Sequence, residues 1–333
     1  MPMSNQPRSA HGPAQPCDGP SQPLSFMLLG DAGQSQQTTW WGYRLAGEGL
    51  VSNVPLTAFG AGRPDMPGPE PGPGPGPGPT TTPVDSRRTV RGWIGGATRA
   101  VICRGEAGSY RIDVAGIGGF TVDATAGRIS CNRLHEDVSA ARLEEVLLGP
   151  PITFALTGRD VWCLHASTVV VEGRAVLFLG HSGQGKSTLA AFCDGPGRME
   201  RVADDITPCA LVDGRPCAQP HFPQLKLPAA ARYAVARDGN IPIGALVFLE
   251  PAGRDGPIQV DALPRLQALR RLCEQTVAIG LFDPWLHQRQ LAFVSRLLSE
   301  VPAMCLRYPH DYGRLAEVCA TLFERIARHP EWR

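Results

Sequence analysis

Residues 88–131 fall into four short runs, "TVRGWIGG", "ATRAVICR", "SYRIDVAG" and "GFTVDATAGRIS", with apolar β-branched residues interleaved with polar ones. Glycine-containing turns separate the runs, the pattern of antiparallel strands. Upstream, "WWGYRLAGEGLVSNVPLTAF" (40–59) predicts a strand, a turn and a short extended segment. The spacing turns helical in "SAARLEEVLLGPPITFALTGR" (139–159), with a break at Pro150-Pro151. From residue 161 the pattern becomes strand, strand, glycine-rich loop and helix. "IGALVFLEP" (243–251) and "AMCLRYP" (303–309) predict further strands. "PRLQALRRLCEQTV" (264–277), "RQLAFVSRLLSEV" (289–301) and "DYGRLAEVCATLFERIARH" (311–329) carry helical apolar spacing.

Two segments lack any such pattern. Residues 1–23 are rich in Pro, Gly, Ser and Gln and predict a disordered tail. The Pro-Gly run at 63–86 predicts an extended, solvated tether, and without Gly at every third position it is not collagen. The expected organisation is therefore a tail (1–23), a β-rich N-terminal domain (24–135) interrupted by the tether, and a second α/β domain (136–333).

Composition narrows the function classes. The 333 residues are 43% apolar, enough for a real core, and 32 basic residues meet 31 acidic ones. That balance gives no global electrostatic footprint for nucleic acid or an anionic membrane. No apolar run approaches membrane-spanning length, and the N-terminus has no secretory h-region. The ten cysteines form no C-x-x-C pair and no zinc-ligand spacing with the eight histidines. Cys103, Cys131, Cys163 and Cys305 sit in or beside apolar runs as small hydrophobes, a usage that suits a reducing cytoplasm.

One stretch carries the chemistry. "GHSGQGKS" (180–187) satisfies G-x-x-x-x-G-K-[ST] at every fixed position, after the apolar run "AVLFL" (175–179) and before "STLAAFC". Gly180, Gly183 and Gly185 let the backbone curl so that successive N–H groups meet one anion, and a helix N-terminus adds positive potential. Together with Ser182, Gln184 and Thr188 they make up the nucleotide-phosphate site. Lys186 would reach the β/γ-phosphates and the Ser187 hydroxyl would ligate Mg²⁺. The bland alternative is a glycine-rich strand-to-helix turn holding no phosphate. A transporter cassette ATPase is excluded by the lack of an LSGGQ-like signature and of an apolar strand ending in Asp-Glu.

Downstream of the loop lies "RMERVADDI" (198–206), and upstream lies "CLHASTVVVEGRAVLFLG" with His165. Together these resemble the HPr kinase/phosphorylase family and its shorter relatives, most strongly over 161–206 and more loosely through "HFPQLKLP", "IGALVFLEP" and "VPAMCLRYP". "GYRLAGEGLVSNVPL" also resembles the short kinase-like proteins of peptide-modification clusters, including lasso-peptide pathways. The resemblance implies an α/β fold: a P-loop, HPr-kinase-like core with a β-rich N-terminal region. It implies ATP and Mg²⁺ as cofactors and a peptide or protein substrate with an acceptor serine, in a cytoplasmic enzyme. The separate N-terminal domain and the Arg-rich C-terminal signature of full HPr kinases are missing, which counts against HPr itself and the reverse reaction. A homo-oligomer is allowed by the resemblance and not required.

A serine hydroxyl is a poor nucleophile, and a carboxylate beside it helps by taking its proton. By resemblance Asp204 is the base and Asp205 belongs to the Mg²⁺ shell, with the reverse assignment open. Adjacent strand residues point to opposite faces, so one shared role is not expected unless the strand has ended. His165 would orient Asp204 or the acceptor. His181, a variable loop position, faces solvent. Lys226, Glu250, Arg307, Tyr308, Trp40 and Trp41 each admit a ligand-contact reading beside an ordinary structural one. The leading function is Mg·ATP-dependent transfer of the γ-phosphate to a Ser/Thr hydroxyl of a peptide, as in precursor-peptide tailoring. The alternatives are a nucleotide-gated binding or assembly protein and a small-molecule hydroxyl kinase.

Overall fold

The computed structural model describes residues 22–28, 39, 41–59, 62–67, 86–94, 97–194, 199–219, 222–224 and 239–332. The tail at 1–21, most of the Pro-Gly run, Trp40 and Lys226 lie outside them.

The chain is mixed α/β and rich in sheet. The first eight strands are β1 (Leu24–Leu28), β2 (Trp41–Leu45), β3 (Glu48–Ser52), β4 (Arg88–Ile94), β5 (Ala97–Glu106), β6 (Ser109–Val114), β7 (Gly118–Asp123) and β8 (Arg128–Leu134). They form one sheet in the order β2-β3-β1-β8-β7-β6-β5-β4. Strands from both sides of the Pro-Gly run therefore meet in it, through the parallel β1–β8 pair. Helices α1 (Ala140–Leu147) and α2 (Pro150–Thr157) come next. Ser139 caps α1 through the Arg142 N–H, and α2 starts on Pro150-Pro151, where no intrahelical donor is required.

The second sheet begins with β9 (Trp162–Leu164), β10 (Ala166–Val171) and β11 (Arg174–Leu179), and α3 (Lys186–Cys193) comes after the loop. Then come β12 (Glu200–Asp204), β13 (Thr207–Val212), β14 (Arg215–Ala218), β15 (Ile241–Ala252) and β16 (Gln259–Ala262). Helices α4 (Arg265–Glu274) and α5 (Pro284–Glu300), strand β17 (Ala303–Pro309) and α6 (Leu315–Ala327) complete the chain. The order is β12-β10-β11-β15-β14-β13-β9, with β17 parallel to β15 and β16 on β17. The β10–β11 hairpin closes on Glu172-Gly173, both at positive φ (50° and 78°), the two-residue turn whose twist matches its strands.

Two apolar clusters hold these layers. One joins the N-terminal sheet, α1, α2 and α5 to one face of the second sheet. A run of aromatic contacts crosses it, Tyr110–Phe154 (4.7 Å), Phe154–Phe282 (5.5 Å), Phe282–Trp162 (6.0 Å) and Trp162–Phe293 (6.1 Å). Every residue of α2 is buried in it. The other cluster lies on the opposite face, beneath α3 and α6. Cys103, Cys131, Cys163 and Cys305 are buried, and burial pushes the Cys163 thiol up to about 12. Among the described residues, no helix is long and apolar enough to cross a membrane.

Candidate functional site

Strand register brings the predicted residues to one end of the second sheet. β10 runs antiparallel to both its neighbours, with Ser167 opposite Phe178 of β11 on one side and Asp204 of β12 on the other. The start of β10 thus lies between the ends of β11 and β12. His165 immediately precedes β10, Gly180 comes directly after β11, and Asp205 directly after β12. Strands are about 4.8 Å apart, so the root of the loop and the two aspartates stand roughly 10 Å from each other.

The loop is curled as its composition requires. Gly183 and Gly185 adopt φ of 84° and 82°, and Gly185 is the N-cap of α3. The first helical bond is Leu189 N–H to Gly185 O, so the N–H groups of Lys186, Ser187 and Thr188 precede the helical ladder. Lys186 is 7% exposed, and its Nζ donates to the carbonyls of Gly180 (2.6 Å) and His181 (3.1 Å). The ammonium therefore sits inside the curl and holds it. The Gln184 side chain accepts from the His181 N–H (2.6 Å), and Tyr308 donates its hydroxyl to the Gln184 carbonyl (2.6 Å). Burial pushes the Tyr308 phenol up to about 12, so it stays a donor at neutral pH. His181, Ser182, Gly183 and Ser187 are exposed. A backbone cradle open to solvent with a buried cation beneath it fits a chain of phosphates.

The two aspartates part company as a strand end dictates. Asp204 is 4% exposed, accepts from the Ser167 hydroxyl (2.7 Å) and has Arg201 at 3.8 Å, while the Gln224 side chain accepts from its N–H (2.7 Å). Its cross-strand partner Ser167 faces the same way as Phe178, on the side covered by α3. Asp205 leaves the strand at φ 112° and is about a third exposed. His165 Nδ1 lies 3.2 Å from Asp205 Oδ1, so the histidine's carboxylate partner is Asp205 and not Asp204. Its backbone N–H is tied to Gln275 O (2.7 Å), which fixes its position against the end of α4.

The remaining candidates divide. Glu250 lies beside Arg271 (2.7 Å) and Arg307 (3.5 Å), and the Arg271 guanidinium covers the Phe248 ring. Burial would raise the Glu250 carboxyl, but hydrogen bonds from Cys305 and Arg271 and the two guanidinium charges hold it below its usual range. Glu250 and Arg307 thus satisfy each other. Trp41 packs partly buried against the core. Ser167, Arg201, Gln224 and Arg271 had no motif to mark them, since each is defined by a partner distant in sequence.

Among the described residues no set of three or more His, Cys, Asp and Glu side chains is gathered as a metal-ligand group. A Mg²⁺ held beside phosphates needs only one or two protein oxygens, and Ser187 with a single carboxylate meets that need.

No protein-family model matches this chain, and no curated protein sequence matches it. The solved structure of the Hpr(Ser) kinase/phosphatase from Coxiella burnetii is similar over 50% of this chain and 90% of its own, at 14% identity and a TM-score of 0.29. An overlap that loose carries neither fold detail nor chemistry across.

Proposed function

We propose that the protein is a phosphotransferase that moves the γ-phosphate of Mg·ATP to a Ser or Thr hydroxyl of a peptide or protein. The observation that carries this reading is the register that sets the curled loop over Lys186 and the Asp204–Asp205–His165 group at one end of one sheet. A nucleotide switch needs the loop but has no use for an accessible carboxylate held by a histidine beside it. The P-loop rests on the motif at 180–187, the two-domain division on the pattern along the chain, and the HPr-kinase-like core and the peptide acceptor on the sequence resemblance.

In this scheme the N–H groups at 183–188 and Lys186 hold the phosphates. Ser187 and Asp204 would hold Mg²⁺, whose chemistry is to screen phosphate charge. Geometry favours Asp205 for the proton: it is exposed enough to meet an acceptor hydroxyl, and His165 fixes its carboxylate. Asp204 is nearly sealed and committed to Ser167, which keeps it from meeting an acceptor hydroxyl. This reading exchanges the roles of the two aspartates relative to those implied by the resemblance.

The test is to incubate the protein with Mg·ATP and serine-containing peptides and weigh the products by mass spectrometry. A phosphoryl gain that disappears in Lys186→Ala and Asp205→Asn supports the reading. ATP binding with no transfer to any acceptor would replace it with a nucleotide-gated binding protein. Asp204→Asn should raise the Mg²⁺ requirement, whereas Asp205→Asn should lower the rate at any Mg²⁺.

A further inference from the structure

Cys193 and Cys319 stand 126 residues apart in sequence, yet their Sγ atoms lie 3.3 Å from each other. Cys193 is the last residue of α3, and Cys319 lies in the first half of α6. Apolar packing sets the contact: Leu189 and Ala190 of α3 and Val318 and Leu322 of α6 are buried in one cluster with Cys193, and Cys319 packs at its edge. Cys193 is 4% exposed, whereas Cys319 is half-buried. A small solute therefore reaches the pair from the Cys319 side.

Among the other described cysteines, all but Cys273 are buried. Burial pushes the Cys273 thiol up, and a thiol held protonated reacts slowly because the thiolate is the nucleophile. Two thiols in contact differ from two packed hydrophobes in one respect, that they can be joined. A disulfide bond is about 2.05 Å long, so joining asks the sulfurs to close by roughly 1 Å. The end of α3 can yield that much, since the helix stops at Cys193 and Asp194 is already extended. In a compartment kept reducing, disulfides that do form are mostly transient and serve redox sensing.

We propose that Cys193 and Cys319 form a reversible oxidation site, where a hydroperoxide joins them into a disulfide that staples α3 to α6. With hydrogen peroxide, the Cys319 thiolate attacks one oxygen and the O–O bond breaks. The displaced hydroxide takes up the proton the thiol gave, leaving water and a sulfenic acid at Cys319. The Cys193 sulfur then attacks the sulfenic sulfur, the S–O bond breaks, and the leaving hydroxide takes the Cys193 proton as a second water. Two electrons pass from the sulfurs to the peroxide oxygens, and a thiol reductant returns them by exchange. The staple pins the helix that begins with Lys186 and closes a long loop, which removes freedom chiefly from the unfolded chain. It stands whether or not 180–187 holds a phosphate.

The experiment treats the reduced full chain with a small excess of hydrogen peroxide, blocks the remaining thiols with iodoacetamide in urea, and maps the peptides without reductant. The expected product is a cross-linked pair holding Cys193 and Cys319, two hydrogens lighter than its two thiol peptides and cleaved by dithiothreitol. The midpoint of thermal unfolding should rise by roughly 5 °C on oxidation and return on reduction. Cys319→Ser should abolish the cross-link and the rise, and Cys273→Ser should change neither. Cys193 still carrying the blocking group after peroxide, with Cys319 intact or as its sulfinic acid, would show that the two sulfurs do not couple. A disulfide between other cysteines, an unchanged midpoint, or a rise that survives Cys319→Ser would each overturn the staple as well.

Discussion

Asp205 Oδ1 and His165 Nδ1 lie 3.2 Å apart, across the end of β12 and the start of β10. Each is held from elsewhere, His165 by Gln275 O and Asp205 by its N–H to Ala166 O (3.2 Å), so the pair presents one carboxylate in a set direction. If that carboxylate takes the acceptor proton, Asp205→Asn should lower phosphoryl transfer by about 10²- to 10⁴-fold. Nucleotide affinity should stay near the parent value, and His165→Gln should lose less. Initial rates alongside binding measurements check this. A fall in affinity equal to the fall in rate would remove Asp205 from proton transfer.

The same residue stores backbone strain. At φ 112° a Cβ is disfavoured and glycine is not. Asp205→Gly should therefore be more stable than Asp205→Ala by about 1–2 kcal/mol in urea unfolding, although both lack the carboxylate. Two variants of equal stability would show that the turn relaxes when the His165 contact is cut.

Gly183 and Gly185 separate strain from crowding. Both have positive φ, but a Cβ at Gly183 meets nothing within 4 Å, whereas one at Gly185 would run into the Tyr308 hydroxyl. Gly183→Ala should cost about 1–2 kcal/mol of backbone strain. Gly185→Ala should cost more and weaken nucleotide binding further. Adding Tyr308→Phe should recover part of the Gly185→Ala loss, and a double-mutant cycle reads the coupling. Strict additivity would mean that the Tyr308 hydroxyl does not press on the loop.

The elements were largely legible because local patterns decide them, and their partners were not. The hairpins, the strand–glycine loop–helix order at 174–193 and the break at Pro150-Pro151 depend on neighbours in sequence and appear where the pattern predicts them. α5 starts at Pro284, five residues before the apolar spacing suggests, because Asp283 caps it. Asp-Pro was a start signal available in the sequence. β14 and β16 are four residues each, too short for a periodic signature. Alternation tells which face a residue takes but never which strand lies beside it, so the β1–β8 pair stays hidden. At the site, "GHSGQGKS" spelled out the loop. The choice of Asp205 by His165 depends on a single φ angle after β12, which no residue spacing encodes.

Tyr308 also gives the loop a pH dependence. Its phenol is raised from 10.0 to about 12 by burial, so the folded state favours the protonated form. The resulting stability is complete below the unfolded value near 10 and is lost as pH rises toward 12. The loss should be roughly 2 kcal/mol across that window, and Tyr308→Phe should lack that share of it. Urea unfolding of the parent and the variant at pH 9 to 12 checks the difference, with Tyr110, also raised by burial, common to both. An identical pH slope in the two proteins would mean that the phenol is not sealed.

Asp283 joins the two sheets at a single buried carboxylate. It is 0% exposed, and Oδ1 accepts from the Leu286 N–H (2.7 Å) to cap α5. Oδ2 accepts from the Ala107 N–H (2.8 Å) and the Tyr110 hydroxyl (3.1 Å), both in the β5–β6 hairpin of the first sheet. Asp283→Ala removes a helix cap worth about 1 kcal/mol and leaves two buried donors unmet at about 1–3 kcal/mol each. The expected cost is about 3 kcal/mol or more. Asp283→Asn should cost less, because its amide oxygen keeps the cap while its NH₂ opposes the Ala107 N–H. Tyr110→Phe should cost less than Asp283→Ala, about 1–2 kcal/mol, since the ring and the cap are retained while Oδ2 loses one donor and the Gly108 N–H loses its acceptor (3.2 Å). Denaturant unfolding of the three variants should show Asp283→Ala as the most costly. A cost below about 1 kcal/mol for Asp283→Ala would show that water reaches the Ala107 N–H, and that the aromatic contacts from Tyr110 to Phe293 hold the sheets together without the carboxylate.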